Sequence, residues 1–102
     1  MGINIGLDIG AISLKLAALG RPEDRGILEH LCASGRPFRM TGGAAPLALS
    51  QYRRIAGSPI QSAYDLLREF YDAVPESRVE GIRVTGSGSR TISQATGPLF
   101  RK

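Results

Sequence analysis

Residues 3–19 read INIGLDIGAISLKLAAL, two apolar runs on either side of a short turn. Every second residue of the first run is a large aliphatic one: Ile3, Ile5, Leu7 and Ile9. A period of two is that of a β-strand with one buried face. The second run, residues 13–19, is also β-rich, and the break between the runs is short enough for a hairpin. The chain is therefore predicted to begin with two antiparallel strands.

Asp8 stands at the end of the first predicted strand, directly before the turn. A carboxylate at the end of a buried strand is costly unless a cation or a hydrogen-bond donor meets it, and a hydrated Mg²⁺ ion is one such partner. The Ser13 hydroxyl and the Lys15 ammonium add a donor and a positive charge. Backbone N–H groups of the turn could face phosphate oxygens; they belong to Gly10, Ala11, Ile12 and Ser13. The pattern indicates phosphate and metal binding, and an ordinary hairpin with Asp8 capping the turn is the alternative.

The composition is that of one small globular domain. The chain has 102 residues, 42% of them hydrophobic, which is enough for a core. Its net charge is +4, from 13 Lys and Arg against 9 Asp and Glu. The arginines are scattered, with only Arg53 and Arg54 adjacent. Because no basic block occurs, nucleic-acid binding is not favoured.

Cysteine usage and hydropathy bear on the compartment. The single cysteine, Cys32, forbids an internal disulfide and cannot by itself build a zinc or iron–sulfur site. No apolar run is long enough to span a membrane, and the N-terminus lacks the basic flank and cleavage site of a signal peptide. The expected location is the cytoplasm, with no membrane partner.

The stretch after the hairpin gives weaker signals. Residues 20–26 are rich in turn formers, and residues 27–32 are interpreted as a short strand although they alternate poorly. Residues 35–46 are rich in Gly, Pro and Ala and are predicted to form a surface loop. Residues 47–56 are predicted to form one amphipathic strand near a sheet edge.

The clearest helix begins after Ser58. Ser58 is the predicted N-cap, Pro59 takes the first helical position, and Gln61 completes a capping box. Pro75 ends the helix. Apolar residues form a stripe at helical spacing: Ile60, Ala63, Tyr64, Leu67, Phe70, Tyr71 and Val74. The stripe predicts core packing rather than a cofactor site.

A strand predicted at residues 79–85 leads into a loop at 86–90 and a short helix at 91–95. Exposed N–H groups at the carboxyl end of a strand commonly bind anions. The loop lacks the third glycine of a dinucleotide fingerprint, and no Gly-Lys-Ser/Thr of a P-loop occurs. A plain strand–helix turn is the alternative. The candidate ligand-binding residues are Thr85, Gly86, Ser87, Gly88 and Arg90.

Antiparallel strands, a crossover helix and a strand returning beside the first make the ribonuclease H-like layout. Residues 6–15, GLDIGAISLK, resemble the first phosphate motif of the actin-like ATPases. Residues 52–59, YRRIAGSP, and 81–90, GIRVTGSGSR, resemble the activators (activases) of 2-hydroxyacyl-CoA dehydratases and benzoyl-CoA reductases. The fold class expected is α/β, a ribonuclease H-like half-domain with a mixed sheet of four to five strands, one main crossover helix and a short C-terminal helix.

The resemblance implies an ATPase. Activases of this kind bind ATP with Mg²⁺ and use its hydrolysis to drive an electron from a [4Fe–4S] cluster at a homodimer interface to a CoA-ester dehydratase or reductase. By motif, Asp8 would be the catalytic residue that holds the hydrated Mg²⁺. Residues 10–13 would approach the phosphates, Lys15 would lie close by, and residues 85–90 would border the nucleotide cleft.

The chain also departs from the family pattern. Ala11 stands where the family usually has Ser or Thr, which removes a phosphate-facing hydroxyl. The second phosphate motif, the adenosine-binding segment and the cluster cysteines do not occur within residues 1–102. The chain is therefore expected to be an N-terminal subdomain, with a loop-rich insertion at 21–46, that needs a C-terminal half and is inactive alone. The alternatives are another actin-like ATPase or sugar-kinase-type phosphotransferase, or a non-enzymatic basic binding module.

Overall fold

The computed structural model describes residues 2–33, 35, 37–41 and 43–86. The six strands are β1 (Ile3–Ile9), β2 (Ser13–Leu19), β3 (Phe38–Thr41), β4 (Leu47–Ser50), β5 (Arg53–Arg54) and β6 (Val79–Thr85). The two α-helices are α1 (Arg25–Ala33) and α2 (Pro59–Tyr71), and 3-10 turns at Pro22–Asp24 and Glu76–Arg78 precede α1 and β6. Within these residues, no helix is long and apolar enough to cross a membrane.

The strands form one mixed sheet in the order β3-β4-β2-β1-β6, with β5 paired to β2 as well. The pairs β1–β2, β2–β4, β2–β5 and β3–β4 are antiparallel, whereas β6 is parallel to β1. Helix α2 therefore lies in the crossover that returns the chain beside its first strand. The predicted α/β class, the opening hairpin and the returning strand are confirmed.

The helices cover one face of the sheet and enclose a single hydrophobic core. The Phe70 ring meets the Phe38 ring edge to face, with 6.1 Å between the centroids. Fully buried members of the core include Ile3, Leu7, Ile9, Leu14, Leu16, Leu28, Leu31, Leu66, Leu67 and Phe70. No described element covers the opposite face, here called the open face. Its residues include Asn4, Gly6, Asp8, Ser13, Lys15, Ala17, Leu19, Arg39, Thr41, Leu47, Leu49, Arg54, Gly81, Arg83 and Thr85.

Two predictions between the hairpin and α2 are wrong. The strand predicted at 27–32 is part of α1, because Leu28 and Leu31, three residues apart, are the pair that is buried. The loop predicted at 35–46 contains β3, whose Phe38 side chain enters the core. A four-residue strand between glycine- and proline-rich segments gives too short a pattern to be recognised. The sheet consequently has more strands than expected, and the predicted insertion at 21–46 is largely regular structure.

A β-bulge divides the strand predicted at residues 47–56. On β2, Ala17 lies opposite Leu49 of β4. Leu14 is three residues before Ala17 on β2, and it lies opposite Arg53, which is four residues after Leu49. The partner therefore carries one extra residue between β4 and β5, which is the definition of a bulge.

At this bulge, the Ser50 side chain provides the hydrogen-bond acceptor for a backbone N–H of β2. Its buried hydroxyl accepts a hydrogen bond from the Leu16 N–H at 2.8 Å and donates one to the Gln51 carbonyl at 3.0 Å. Because side chains alternate along a strand, the extra residue exchanges the two faces for everything beyond it. Tyr52 consequently lies on the open face, and Arg53 lies on the face that the helices cover.

The predicted cap of α2 is confirmed. The Ser58 hydroxyl accepts a hydrogen bond from the Gln61 N–H at 3.3 Å, and Pro59 takes the first helical position. The Gln61 side chain donates to Asp65 at 2.9 Å, so the structure shows the Ser58 half of the capping box. The helix ends at Tyr71, before Pro75.

Replacing the cap tests its contribution to stability. Ser58→Ala is expected to lower the free energy of unfolding by about 1 kcal/mol, because one amide at the helix start loses its acceptor. Urea unfolding measures this loss. Ser58→Asp, which keeps an acceptor, is the matched control and should retain the stability; an equal loss in both variants would contradict the assignment.

Candidate functional site

The carboxyl ends of β1 and β6 meet at one edge of the sheet because the two strands are parallel. Asp8 lies opposite Thr85, whose hydroxyl donates to the Leu7 carbonyl at 3.4 Å. Gly86 follows in a left-handed conformation, φ +99°, tight against the end of β1. A Cβ atom on Gly86 would lie 2.9 Å from Asp8 Oδ1 and closer still to the Ile9 carbonyl oxygen. The structure thus places the ends of two predicted site segments, Asp8 and Thr85 with Gly86, side by side, at the edge where open α/β sheets bind ligands.

Asp8 itself is exposed, so the expectation that its carboxylate pays a cost of burial is wrong. Leu7 and Ile9 on either side are buried against the helices, so Asp8 points to the open face. The strand is buried on one face only, and its carboxylate is not desolvated. The described part of the chain contains no ion pair to Asp8. The carboxylate is therefore accessible to a hydrated cation.

The tip of the β1–β2 hairpin is fixed from two sides. The Gly10 N–H donates to the Ser13 carbonyl at 2.7 Å, which closes a loop of two residues, Ala11 and Ile12. The Ile12 carbonyl accepts from the Ile55 N–H at 2.7 Å. The Gly10 N–H therefore already has an acceptor within the hairpin. It is not available to a phosphate group, unlike the prediction for the amides of residues 10–13.

Lys15 lies opposite Asp8 on β2, on the same open face. Its Nζ is 4.9 Å from the centroid of the Tyr52 ring, which is a cation–π contact. In the sequence, Tyr52 belongs to the segment 52–59 that resembles the activases. No sequence pattern predicts the bulge that turns its ring toward Lys15. Together these side chains border a groove of about 370 Å³, lined by Gly6, Leu7, Asp8, Lys15, Ala17, Leu49, Tyr52 and Thr85.

The charges of the open face favour an anionic ligand. Asp8 is the one acidic side chain among the residues that define this face, and it lies beside Lys15. The basic side chains of the same face are Lys15, Arg39, Arg54 and Arg83. Arginine and lysine provide the hydrogen-bond donors and positive charge that phosphate groups require.

Metal binding at this edge of the sheet would depend on Asp8. Among the described residues, no three His, Cys, Asp or Glu side chains converge as a metal-binding group. Mg²⁺ keeps several of its waters and often uses one or two carboxylates, so a single accessible Asp8 fits it. Cys32 lies half-buried on α1, a helix of the covered face, and one thiol does not fit a [4Fe–4S] cluster. The other predicted ligand residues, Ser87, Gly88 and Arg90, and the helix predicted at 91–95 fall outside the described residues.

Comparisons with protein-family models, with curated proteins and with solved structures find no match. Over the residues that the structure describes, the chain is an α/β domain with a mixed six-stranded sheet and two α-helices.

Proposed function

We propose that this chain is the N-terminal, phosphate- and Mg²⁺-binding half of an actin-like ATPase with a ribonuclease H-like fold. The observation that carries the proposal is the position of Asp8, exposed at the carboxyl end of β1 and opposite Thr85 at the end of β6. The strand order supports it too: antiparallel strands on one side of β1 and a parallel strand, reached through α2, on the other.

Four elements of the site have a role in this proposal: Asp8, the hairpin tip with Ser13, Lys15, and the end of β6. Asp8 holds a hydrated Mg²⁺ ion, the hairpin tip and the Ser13 hydroxyl face the phosphates, and Lys15 supplies positive charge. Thr85 borders the groove on the β6 side, and Gly86 follows it. When bound, Mg²⁺ neutralises phosphate charge. Catalysis of phosphoryl transfer depends mainly on positioned charge of this kind.

The chain alone is expected to be inactive. Its charged groups face water, where each contact with a ligand is weak, and the second phosphate motif belongs to a C-terminal half. We expect affinity for Mg·ATP in the millimolar range, about −4 kcal/mol.

Within this class, the function proposed is that of an activase, which couples ATP hydrolysis to electron transfer into a CoA-ester dehydratase or reductase. The support is the resemblance of residues 81–90 to the activases. The structure describes residues 81–86 of this segment. The cysteine ligands of the [4Fe–4S] cluster would belong to the C-terminal half, since Cys32 is the one cysteine of this chain.

Mutation of Asp8 in the intact ATPase tests the proposal. Asp8→Ala is expected to reduce Mg²⁺-dependent ATP hydrolysis, measured anaerobically, by at least about a hundredfold, because the metal loses its carboxylate. Asp65→Ala, an exposed aspartate on α2 across the sheet, is the matched control and should retain full turnover. Equal turnover of Asp8→Ala and the unmodified protein would remove Asp8 from the mechanism.

A further inference from the structure

We infer that Tyr52 is a positioning residue that holds the Lys15 ammonium over the phosphate groove. The inference rests on the proposed function and adds to it a residue that acts through Lys15. Its basis is a conjunction of three features: a bulge that turns Tyr52 onto the open face, the ring over Lys15 Nζ, and the shared groove with Asp8.

The bulge decides which face Tyr52 occupies. Without the extra residue, the alternation of β4 would continue, and Tyr52 would lie on the same face as Ala48 and Ser50, in the core. With it, Tyr52 is 67% exposed and makes its contact on the open face instead. Bulges commonly re-aim side chains near active sites.

The same bulge is fastened from the covered face. Arg53, the next residue, donates from both terminal guanidinium nitrogens, Nη1 and Nη2, to the Glu69 carboxylate of α2. Ser50 holds the other end of the bulge through its bonds to Leu16 and Gln51. The backbone on both sides of Tyr52 is thus anchored, so the ring is presented to Lys15 from a fixed position.

Lys15 needs such a support for a physical reason. A lysine side chain is a flexible four-carbon stem that carries a compact charge. The other polar side chains that line the groove are Asp8, Tyr52 and Thr85. Without a second contact, the ammonium would swing toward the Asp8 carboxylate directly opposite. The face of the tyrosine ring attracts the ammonium without neutralising it, which leaves the positive charge available to a phosphate group and leaves Asp8 available to the metal.

The first test needs no ligand. The chain has two lysines, Lys15 and Lys102, so ¹³C-dimethylation of lysines gives few NMR signals, and loss of one in Lys15→Arg identifies Lys15. We expect the Lys15 signal to be shifted upfield by the ring. Tyr52→Leu should abolish this shift and Tyr52→Phe should retain it. An unshifted Lys15 signal in the unmodified protein, or a shift that survives Tyr52→Leu, would overturn the inference whatever the ligand of the groove is.

The second test asks whether the contact acts on phosphate binding. Inorganic triphosphate with Mg²⁺ is titrated into the chain and into the variants Tyr52→Leu, Tyr52→Phe and Lys15→Gln. Tyr52→Leu should weaken binding about two- to fivefold, and Tyr52→Phe should leave it unchanged.

A double variant separates a positioning role from a direct one. In the Lys15→Gln background, Tyr52→Leu should have no further effect. An equal loss in both backgrounds would mean that Tyr52 does not act through Lys15, and would overturn the inference while leaving the phosphate site intact. If Lys15→Gln and Asp8→Ala bind triphosphate as the unmodified chain does, the proposed function fails, and the inference for phosphate fails with it.

Discussion

Gly86→Ala is expected to disrupt both the stability of the domain and its candidate site. The residue has φ +99°, a conformation that alanine adopts only with strain, and its Cβ would collide with the Ile9 carbonyl and the Asp8 carboxylate. The end of β6 must therefore move away from the end of β1. We expect the free energy of unfolding to fall by about 2–4 kcal/mol, and Mg·ATP binding to become undetectable. Urea unfolding and NMR titration measure the two effects.

The chain supplies a matched control for backbone strain. Gly57 also has positive φ, +79°, but a Cβ there meets nothing within 4 Å. Gly57→Ala should therefore cost only about 1 kcal/mol and leave ligand binding unchanged. Equal effects of the two substitutions would show that strain alone acts at Gly86, and would remove the close approach to Asp8 from the account.

Asp24→Ala is expected to lower the free energy of unfolding by about 2–3 kcal/mol. Asp24 is 1% exposed, and it accepts hydrogen bonds from the Arg21 N–H at 2.9 Å and from the Arg78 guanidinium at 2.6 Å. It thereby joins the turn before α1 to the turn before β6. Thermal or urea unfolding measures the loss. Glu23→Ala, the neighbouring exposed acid, should stay within about 0.5 kcal/mol of the unmodified protein.

The same carboxylate makes stability depend on acid. Burial by itself would raise the pKa of Asp24, but the hydrogen bonds from Arg21 and Arg78 outweigh it and hold this pKa below its ordinary value. In acid, the unfolded chain therefore takes up the proton before the folded one does. The stabilisation is complete above the ordinary aspartate pKa, about 4, and is lost as the pH falls through the lower folded value. The gap in stability between Asp24→Ala and the unmodified protein should narrow in acid; a constant gap would contradict this.

The parts of the fold with long, clean patterns were predictable from the sequence. β1 and β6 are seven residues long, and α2 has a proline, a cap and an apolar stripe that all agree. The parts that were missed depend on distant contacts. α1 owes its position to the burial of Leu28 and Leu31, and the four residues of β3 are held by pairing with β4.

The candidate site shows the same division. The sequence identified the segments that contribute Asp8 and Thr85, and the parallel pairing of β1 and β6 places them side by side. Exposure of Asp8 could have been read from the alternation with Leu7 and Ile9, since those residues take the covered face. The role of Tyr52 could not be predicted, because no residue pattern in the sequence indicates the bulge that exchanges the two faces of the strand.

We propose that Asp8 and the ends of β1 and β6 form a Mg²⁺-dependent phosphate site. The most direct measurement is a set of amide NMR spectra of the ¹⁵N-labelled chain during titration with ATP, once with Mg²⁺ and once with a chelator. We expect shifts confined to residues 8–15, 52 and 85–90, saturating at about millimolar ATP, present only with Mg²⁺ and absent in Asp8→Ala. Shifts spread over the arginines, independent of Mg²⁺ and abolished by salt, would contradict this proposal and identify a basic binding module instead.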